Sequence, residues 1–271
     1  MERILFASDL DNTLLFSYQY RQAEDKCVEY LDGREQGFFT RRTLELLPLV
    51  ERKTRFVPVT TRSVAQYQRI QWPENCVPEY AAAANGGILL VNGAVDREWY
   101  ARTEALTAPW RSELAELHSR LLEVSVSKRC RMVDDIYLFA ACDSREEAER
   151  IGDLLTGTTA LETAVSGRKV YFFPPSINKG EALKRLRERF LPERTVCAGD
   201  SVIDFPMLRS AGLALVPDGV ELAEAGGRVL CGPGGGVRFP DFVLESVLKE
   251  ADAGPGACSM SGLCVPRLRP E

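Results

Sequence analysis

The chain of 271 residues is 45% hydrophobic and 27% charged, a balance that excludes a disordered or fibrous protein. Its formal net charge of −5 at pH 7 argues against general binding to nucleic acids or to acidic membranes. No apolar run approaches the ~20 residues that cross a bilayer. Only residues 4–8 lie between Arg3 and Asp9, too few for the apolar segment of a signal peptide, so the sequence predicts a cytoplasmic protein.

Several chemistries are excluded by what the sequence lacks. His118 is the only histidine, so a metal site built from several histidines is impossible. No Gly-x-Ser-x-Gly motif is present for a serine hydrolase. The eight cysteines form no Cys-x-x-Cys pair, which argues against a zinc or thioredoxin-like site, and we expect reduced thiols that are mostly buried.

The predicted elements alternate between strands and helices at both ends of the chain. At the N-terminal end we expect a strand over 4–8, a helix after Thr40, a strand over 55–59, a helix from Ser63 and a strand over 80–84. From residue 179 onward we expect helices over 179–190, 202–209, 220–225 and 239–251, and strands over 195–198, 212–216 and 228–230. This alternation predicts a parallel sheet joined by crossover helices.

In the middle of the chain the predicted strands and helices no longer alternate. A hairpin is expected over 87–99 around Asn92-Gly93, because Asn-Gly favours a tight turn. It is followed by predicted helices over 109–122 and 144–155 and by strands over 128–133, 136–141, 161–166 and 169–173. We therefore predict an α+β insertion over 88–174, between core segments 1–87 and 175–251. The Gly-, Pro- and Ser-rich residues 252–271 are expected to be a disordered tail.

Polar residues follow the predicted core strands at their carboxyl ends, where open α/β sheets bind ligands. Asp9 and Asp11 follow the first strand, Thr60 follows the strand over 55–59, and Asp200 and Asp204 follow the strand over 195–198. In addition, Lys179 opens a helix. Crowded carboxylates repel one another, a divalent cation relieves that repulsion, and an all-oxygen ligand set favours Mg²⁺.

These residue types suit phosphoryl transfer. Asp9 can attack phosphorus and form an aspartyl-phosphate, and Asp11 can serve as general acid and then as general base. Thr60 can donate a hydrogen bond to a phosphoryl oxygen, and Lys179 can neutralise developing charge. Asp200 is the expected direct metal ligand, with Asp204 as a further ligand or as a partner that orients one.

With these residues the sequence resembles the haloacid dehalogenase (HAD) superfamily of aspartate-nucleophile phosphatases. The four motifs of that family correspond, in order, to Asp9-Leu10-Asp11-Asn12-Thr13, Thr60, Lys179 and the segment Gly199-Asp200 through Asp204. The resemblance implies a Rossmann-like core with an inserted cap, and it implies Mg²⁺ bound by Asp9, Asp200, Asp204 and the main-chain carbonyl of Asp11. The insertion and Asn85-Gly86 resemble the subfamily with α+β caps of the C2B type, which holds Cof-like and sucrose-phosphate phosphatases.

The sequence departs from the family pattern at two positions. Thr61 replaces the glycine of the Thr-Gly-Arg motif, and Ile203 replaces an asparagine that normally precedes the last aspartate. The segment between Leu14 and Phe39 is long and is expected to shape the substrate entrance. The predicted substrate-binding residues are Thr61, Arg62 and Asn85 in the core and Arg129 and Arg168 in the basic clusters of the insertion.

The sequence thus predicts a Mg²⁺-dependent phosphatase of a small phosphorylated metabolite, a sugar phosphate by resemblance. Two alternatives remain open. A phosphomutase would use the same residues to return the phosphoryl group to another hydroxyl of the sugar. A sugar-phosphate sensor would bind without turnover.

Overall fold

The computed structural model describes residues 4–123, 130–234 and 236–253. Its strands are β1 (Ile4–Ser8), β2 (Phe16–Ser17), β3 (Lys26–Leu31), β4 (Arg34–Phe39), β5 (Arg55–Pro58), β6 (Tyr80–Ala83), β7 (Ile88–Val91), β8 (Ala94–Val95), β9 (Cys130–Val133), β10 (Tyr137–Ala141), β11 (Glu162–Ser166), β12 (Lys169–Phe173), β13 (Arg194–Ala198), β14 (Leu213–Val216) and β15 (Arg228–Cys231). Its α-helices are α1 (Arg41–Lys53), α2 (Val64–Tyr67), α3 (Arg97–Thr107), α4 (Arg111–Glu123), α5 (Arg145–Leu155), α6 (Lys179–Phe190), α7 (Phe205–Arg209) and α8 (Phe239–Asp252).

A parallel sheet forms the centre of the fold, with strand order β15-β14-β13-β1-β5. Strand β1 lies between β13 and β5, and its Phe6 pairs with Val196 on one side and with Phe56 on the other. All five residues of β1 are buried, as expected for a parallel strand that is covered on both faces. The predicted α/β class with a parallel sheet is confirmed.

Alternate residues of β1 pack against different helices. Phe6 belongs to a core cluster with Leu47 of α1 and Val243 of α8. Leu5 belongs to the opposite cluster, together with Leu186 of α6 and Met207 of α7. Since full burial of such a side chain contributes ~1.5–3 kcal/mol, the two clusters fix the sheet between its helical layers.

Strand β6 extends this sheet by a single parallel bridge, between Val59 and Ala82. Its main pairing is antiparallel, with β7, and β7 pairs in turn with β8. The predicted hairpin therefore forms around Asn92-Gly93, where Asn92 has φ 50° and Gly93 has φ 79°. Both residues carry the positive φ that a type I′ turn requires.

A second sheet is entirely antiparallel, with strand order β11-β12-β10-β9. On one face, Leu138 and Phe172 pack with residues of α4 and α5 in a separate hydrophobic cluster. On the other face, Tyr137, Tyr171 and Phe173 join the cluster that contains Phe6 of the central sheet. This second face therefore packs toward the hydrophobic cluster on one side of the central parallel sheet.

Two predicted elements are wrong. Residues 220–225 form no helix, and Glu224 has a positive φ of 58° that interrupts a right-handed helix. The predicted hairpin strand ends at Val95, because the Asp96 side chain accepts a hydrogen bond from Trp99 N at 2.8 Å and starts α3.

The tail prediction falls almost entirely outside the described residues, which end at residue 253. The division of the chain into a core and an insertion over 88–174 stays a prediction. In the described part of the chain, no helix combines the length and apolar character needed to span a bilayer.

Candidate active site

The ends of β1 and β13 bring the predicted acidic residues together. The two strands lie side by side, and Asp9 N continues their pairing by donating to Ala198 O at 2.9 Å. Asp9 and Asp11 follow β1, and Asp200 follows β13. Neighbouring parallel strands end at the same edge of a sheet, so residues distant in the sequence meet there.

Lys179 lies at the centre of this edge. Its side chain is buried, and its Nζ lies 2.5 Å from Asp9 Oδ1 and 2.6 Å from Asp204 Oδ1. Burial alone would lower the pKa of Lys179, but the carboxylates of Asp204 and Asp9 raise it, so the ammonium stays charged. The side chain of Asn178 accepts a hydrogen bond from Glu181 N at 2.9 Å and starts α6 with Lys179 in its first turn.

Asp204 organises the loop that carries Asp200. Its Oδ1 binds Lys179, while its Oδ2 accepts hydrogen bonds from Asp200 N at 3.1 Å and from the backbone N and Oγ of Ser201, both at 3.0 Å. A Cβ on Gly199 would lie 2.4 Å from Asp204 Cβ, so the side chain packs directly over the glycine. Both oxygens of Asp204 are therefore already engaged within the protein.

Three carboxylates at this edge form a candidate metal site. Oxygen atoms of Asp9, Asp200 and Asp204 all lie within 4.8 Å of one another. Burial, together with the neighbouring carboxylates, raises the pKa of Asp9 well above its usual range and raises the pKa of Asp200 to about 6. A cation would offset this crowding, and a set of carboxylate oxygens fits a hard divalent ion. The residues present therefore fit a metal ion at this edge.

The carboxylate of Asp11 is held apart from this cluster by Arg62. The guanidinium forms a fork, with Nε 2.9 Å from Asp11 Oδ2 and Nη2 2.8 Å from Asp11 Oδ1. Although burial would raise the pKa of Asp11, Arg62 lowers it to about 2. In this arrangement Asp11 is a carboxylate without a proton to donate.

Arg62 is itself anchored by a residue that sequence reasoning missed. Glu29, on β3, has a side chain only 3% exposed, and its Oε2 lies 2.9 Å from Arg62 Nη1. Its Oε1 accepts from Arg69 Nη2 at 3.0 Å. No spacing pattern could have indicated Glu29, because three distant segments carry this network and the pairing of β3 with β4 is irregular at Glu29.

The predicted Thr60-Thr61-Arg62 segment divides between the interior and the cleft. Thr60 is fully buried, and its Oγ1 accepts from Arg62 N at 3.2 Å. Thr61, the replacement for the family's glycine, lines the cleft over the acidic edge. Donation from Thr60 to a phosphoryl oxygen stays a prediction.

Asn85 lies in the interior. It is 1% exposed, has φ 57°, and donates from Nδ2 to Ile177 O at 3.1 Å, which ties the turn after β6 to the segment before α6. Gly86 has φ +87°, and a Cβ there would lie 2.3 Å from Ala182 Cβ. The Asn85-Gly86 pair therefore lets the turn approach α6 closely.

A cleft of about 1100 Å³ opens above the acidic edge. Its floor is formed by Asp9, Asp11, Lys179 and Asp200, and its opposite wall is formed by the second sheet and α5. Arg168, in the turn between β11 and β12, lines the cleft, as does Lys169. The other predicted cap residue, Arg129, lies outside the described residues.

No protein-family model matches this chain, and no curated protein matches it by sequence. Solved structures do match its fold. A sucrose-phosphatase from Synechocystis sp., solved with sucrose and phosphate, has a TM-score of 0.65 at 16% identity and covers 93% of this chain and 99% of its own. The C-terminal domain of a trehalose-6-phosphate phosphatase from C. albicans has a TM-score of 0.59 at 16% identity, covering 93% and 92%.

A haloacid dehalogenase-like hydrolase from B. subtilis gives a TM-score of 0.57 at 16% identity, over 92% of this chain and 99% of its own. At this level of identity the likeness concerns the fold. The chain has the fold of the HAD-like hydrolases, with a parallel core sheet and additional antiparallel sheets. The neighbours agree with the resemblance carried by the four motifs.

Proposed function

We propose that this protein is a cytoplasmic, Mg²⁺-dependent phosphatase that hydrolyses a small phosphorylated metabolite of the sugar-phosphate class. The observation that carries the proposal is the meeting of Asp9, Lys179, Asp200 and Asp204 at one sheet edge beneath a large cleft. This set combines a nucleophile, a fixed cation and oxygen ligands for a metal, which are the parts that phosphoryl transfer needs.

The structural neighbours support the choice of substrate class. Two of the matching folds belong to a sucrose-phosphatase and to a trehalose-6-phosphate phosphatase. Their names specify phosphorylated sugars, and in this chain a cleft large enough for such a molecule lies over the acidic sheet edge. We extend the general reaction to this protein and leave the particular sugar open.

We assign the metal to the oxygens of Asp9 and Asp200, with the main-chain carbonyl of Asp11 as a further ligand by resemblance to the family. When bound, Mg²⁺ would offset the charge between an anionic phosphate and the carboxylate that attacks it. Asp204 is the weaker candidate for a direct ligand, because Lys179 and the loop amides already engage both its oxygens. Its role in the proposal is to hold Lys179 and Asp200 in place.

In the proposed reaction, an oxygen of Asp9 forms a bond to phosphorus while the bond from phosphorus to the leaving oxygen breaks. Asp11 donates a proton to that oxygen and then accepts one from the water that hydrolyses the aspartyl-phosphate. Lys179 stabilises the negative charge that develops near Asp9.

The two hydrogen bonds from Arg62 to Asp11 must weaken before Asp11 can act as a general acid. As long as both hydrogen bonds persist, the pKa of Asp11 stays near 2 and the group holds no proton at neutral pH. We infer that substrate binding loosens the fork, because an anionic substrate competes with Asp11 for the guanidinium. Asp11 then regains the pKa range that a general acid needs.

We further propose that residues 88–174 act as a cap that excludes water from the cleft. Two contacts link this segment to residues 61–64, which follow β5 and lead into α2. Tyr137 donates from its hydroxyl to Thr61 O, and Val64 N donates to Asp134 Oδ2 at 2.9 Å. Movement of the cap would therefore shift the backbone of Thr61 and Val64, the residues on either side of Arg62 and Ser63.

The test is phosphate release from a panel of phosphomonoesters, measured with Mg²⁺, with EDTA and with the Asp9→Asn variant. We expect release only by the unaltered protein with Mg²⁺, since the amide cannot act as the nucleophile. Asp218→Asn is the matched control, because Asp218 lies outside the acidic edge. Equal release by the Asp9→Asn variant would contradict the mechanism, and isomerisation without net release would favour a mutase.

A further inference from the structure

A second, smaller chamber opens beside Asp11. It has a volume of about 200 Å³ and lies between the second sheet and the elements that carry Arg62 and Glu29. It shares Asp11, Thr61, Lys169 and Tyr171 with the main cleft, so these four residues border both spaces. Since a water molecule occupies ~30 Å³ in the liquid, this chamber has room for a small polar group and its solvation.

The side chains that line this chamber carry more positive than negative charge. Among the described residues the lining includes two carboxylates, of Asp11 and Glu29, and four cations, which are Arg62, Arg69, Arg131 and Lys169. Arg62 and Arg69 are bound to the two carboxylates. Across the described ranges, Arg131 and Lys169 have no carboxylate partner within ion-pair distance, and they add an excess of positive charge.

The pairing of the strands places these two cations on one face of the second sheet. Arg131 of β9 lies opposite Phe139 of β10, and Phe139 lies opposite Tyr171 of β12. Directly paired residues share a face, and Lys169 lies two residues before Tyr171 on β12 and so shares that face. The charged groups of Arg131 and Lys169 lie 5.5 Å and 5.8 Å from the centre of the Phe139 ring.

The proposed chemistry determines what would enter this chamber. In an in-line displacement, the leaving oxygen departs on the side of phosphorus opposite the nucleophile. The general acid must lie beside that leaving oxygen. Asp11 lines both the main cleft and the second chamber, so a group attached to the leaving oxygen beside Asp11 can extend into the chamber.

We propose that the leaving group of the substrate carries a second anionic group, a carboxylate or a phosphate, which Arg131 and Lys169 bind. This inference rests on the proposed phosphatase function and narrows its substrate class. Neutral sugars as leaving groups would leave both cations unused. The aromatic floor of Phe139 and Tyr171 holds the cations on the chamber side of the sheet.

The experiment compares the specificity constant kcat/KM for matched phosphomonoesters. One pair is 3-phosphoglycerate and glycerol 3-phosphate, which differ by a carboxylate. The other pair is fructose 1,6-bisphosphate and fructose 6-phosphate, which differ by a phosphate. We expect a preference of about tenfold or more for the anionic member of one pair, and the pair that shows it identifies the group.

The variants Arg131→Gln and Lys169→Gln, singly and together, test whether these cations cause the preference. We expect the ratio of the two specificity constants to fall with each substitution and to approach one in the double variant. Both side chains are exposed, so the fold should persist, which a thermal melt would verify. Arg150→Gln, an exposed cation on α5 outside the chamber, is the control that keeps the ratio.

Three results would overturn the inference. Hydrolysis of both pairs without preference would refute it and leave the phosphatase function standing. A preference that survives in the double variant would also refute it. Absence of phosphate release from every ester, p-nitrophenyl phosphate included, would refute the proposed function together with the inference.

Discussion

Replacement of Lys179 by methionine tests the electrostatic centre of the site. The substitution keeps most of the buried side-chain volume and removes only the ammonium. In the native protein that ammonium lies 2.5 Å from Asp9 Oδ1 and 2.6 Å from Asp204 Oδ1, and the lysine side chain is 2% exposed. The variant therefore leaves two buried carboxylates without their shared cation.

The expected effect has two parts. Removal of one partner from a buried ion pair costs about 3–5 kcal/mol, and we expect the low end, about 3 kcal/mol, because protonation of Asp9 can absorb part of the loss. Turnover should fall by about 10²–10³-fold, the effect of deleting one fixed charge-stabilising donor. Thermal or urea unfolding measures the first part, and phosphate release with saturating Mg²⁺ measures the second.

Lys184→Met is the matched control on the same helix. Its side chain is 63% exposed, and its ammonium lies 3.6 Å from Glu181 Oε2 at the surface, where a salt bridge contributes little. We expect unfolding and turnover close to those of the unaltered protein. If Lys179→Met and Lys184→Met behaved alike in both measurements, the assignment of Lys179 to the centre of the site would be refuted.

Two further predictions concern the supports of the site. Gly86→Ala should lower the free energy of unfolding by about 2 kcal/mol or more, because the new Cβ would lie 2.3 Å from the side chain of Ala182 on α6. Gly93→Ala is also at positive φ but has open space around the new Cβ, so it should cost about 1 kcal/mol in the same urea titration. Glu29→Gln should cost about 3 kcal/mol, because it removes the buried carboxylate that anchors Arg62. Glu35→Gln, at an exposed pair, should cost less than about 0.5 kcal/mol, and equal losses for the two glutamates would count against the anchoring role.

Local patterns in the sequence were sufficient for most elements. The sequence predicts helix starts at Thr40 and Ser144, and each of these side chains accepts a hydrogen bond from the backbone of its own first turn. The prediction of a helix over 220–225 is wrong because so short a segment has little helical stability of its own, and the positive φ of Glu224 is incompatible with a right-handed helix. Helix α3 was missed because the hairpin pattern before Asp96 was extended beyond its end.

The sequence by itself determined the α/β fold class and which acidic and basic residues follow the core strands, because strand periodicity and short motifs involve only a few neighbouring positions. Only the tertiary structure decided that Asp204 has both oxygens engaged, that Glu29 anchors the Arg62 side chain that binds Asp11, and that Arg131 and Lys169 line the same chamber. These contacts join segments far apart in the chain. Their distances depend on how sheets and hairpins pack, and no local spacing records that packing.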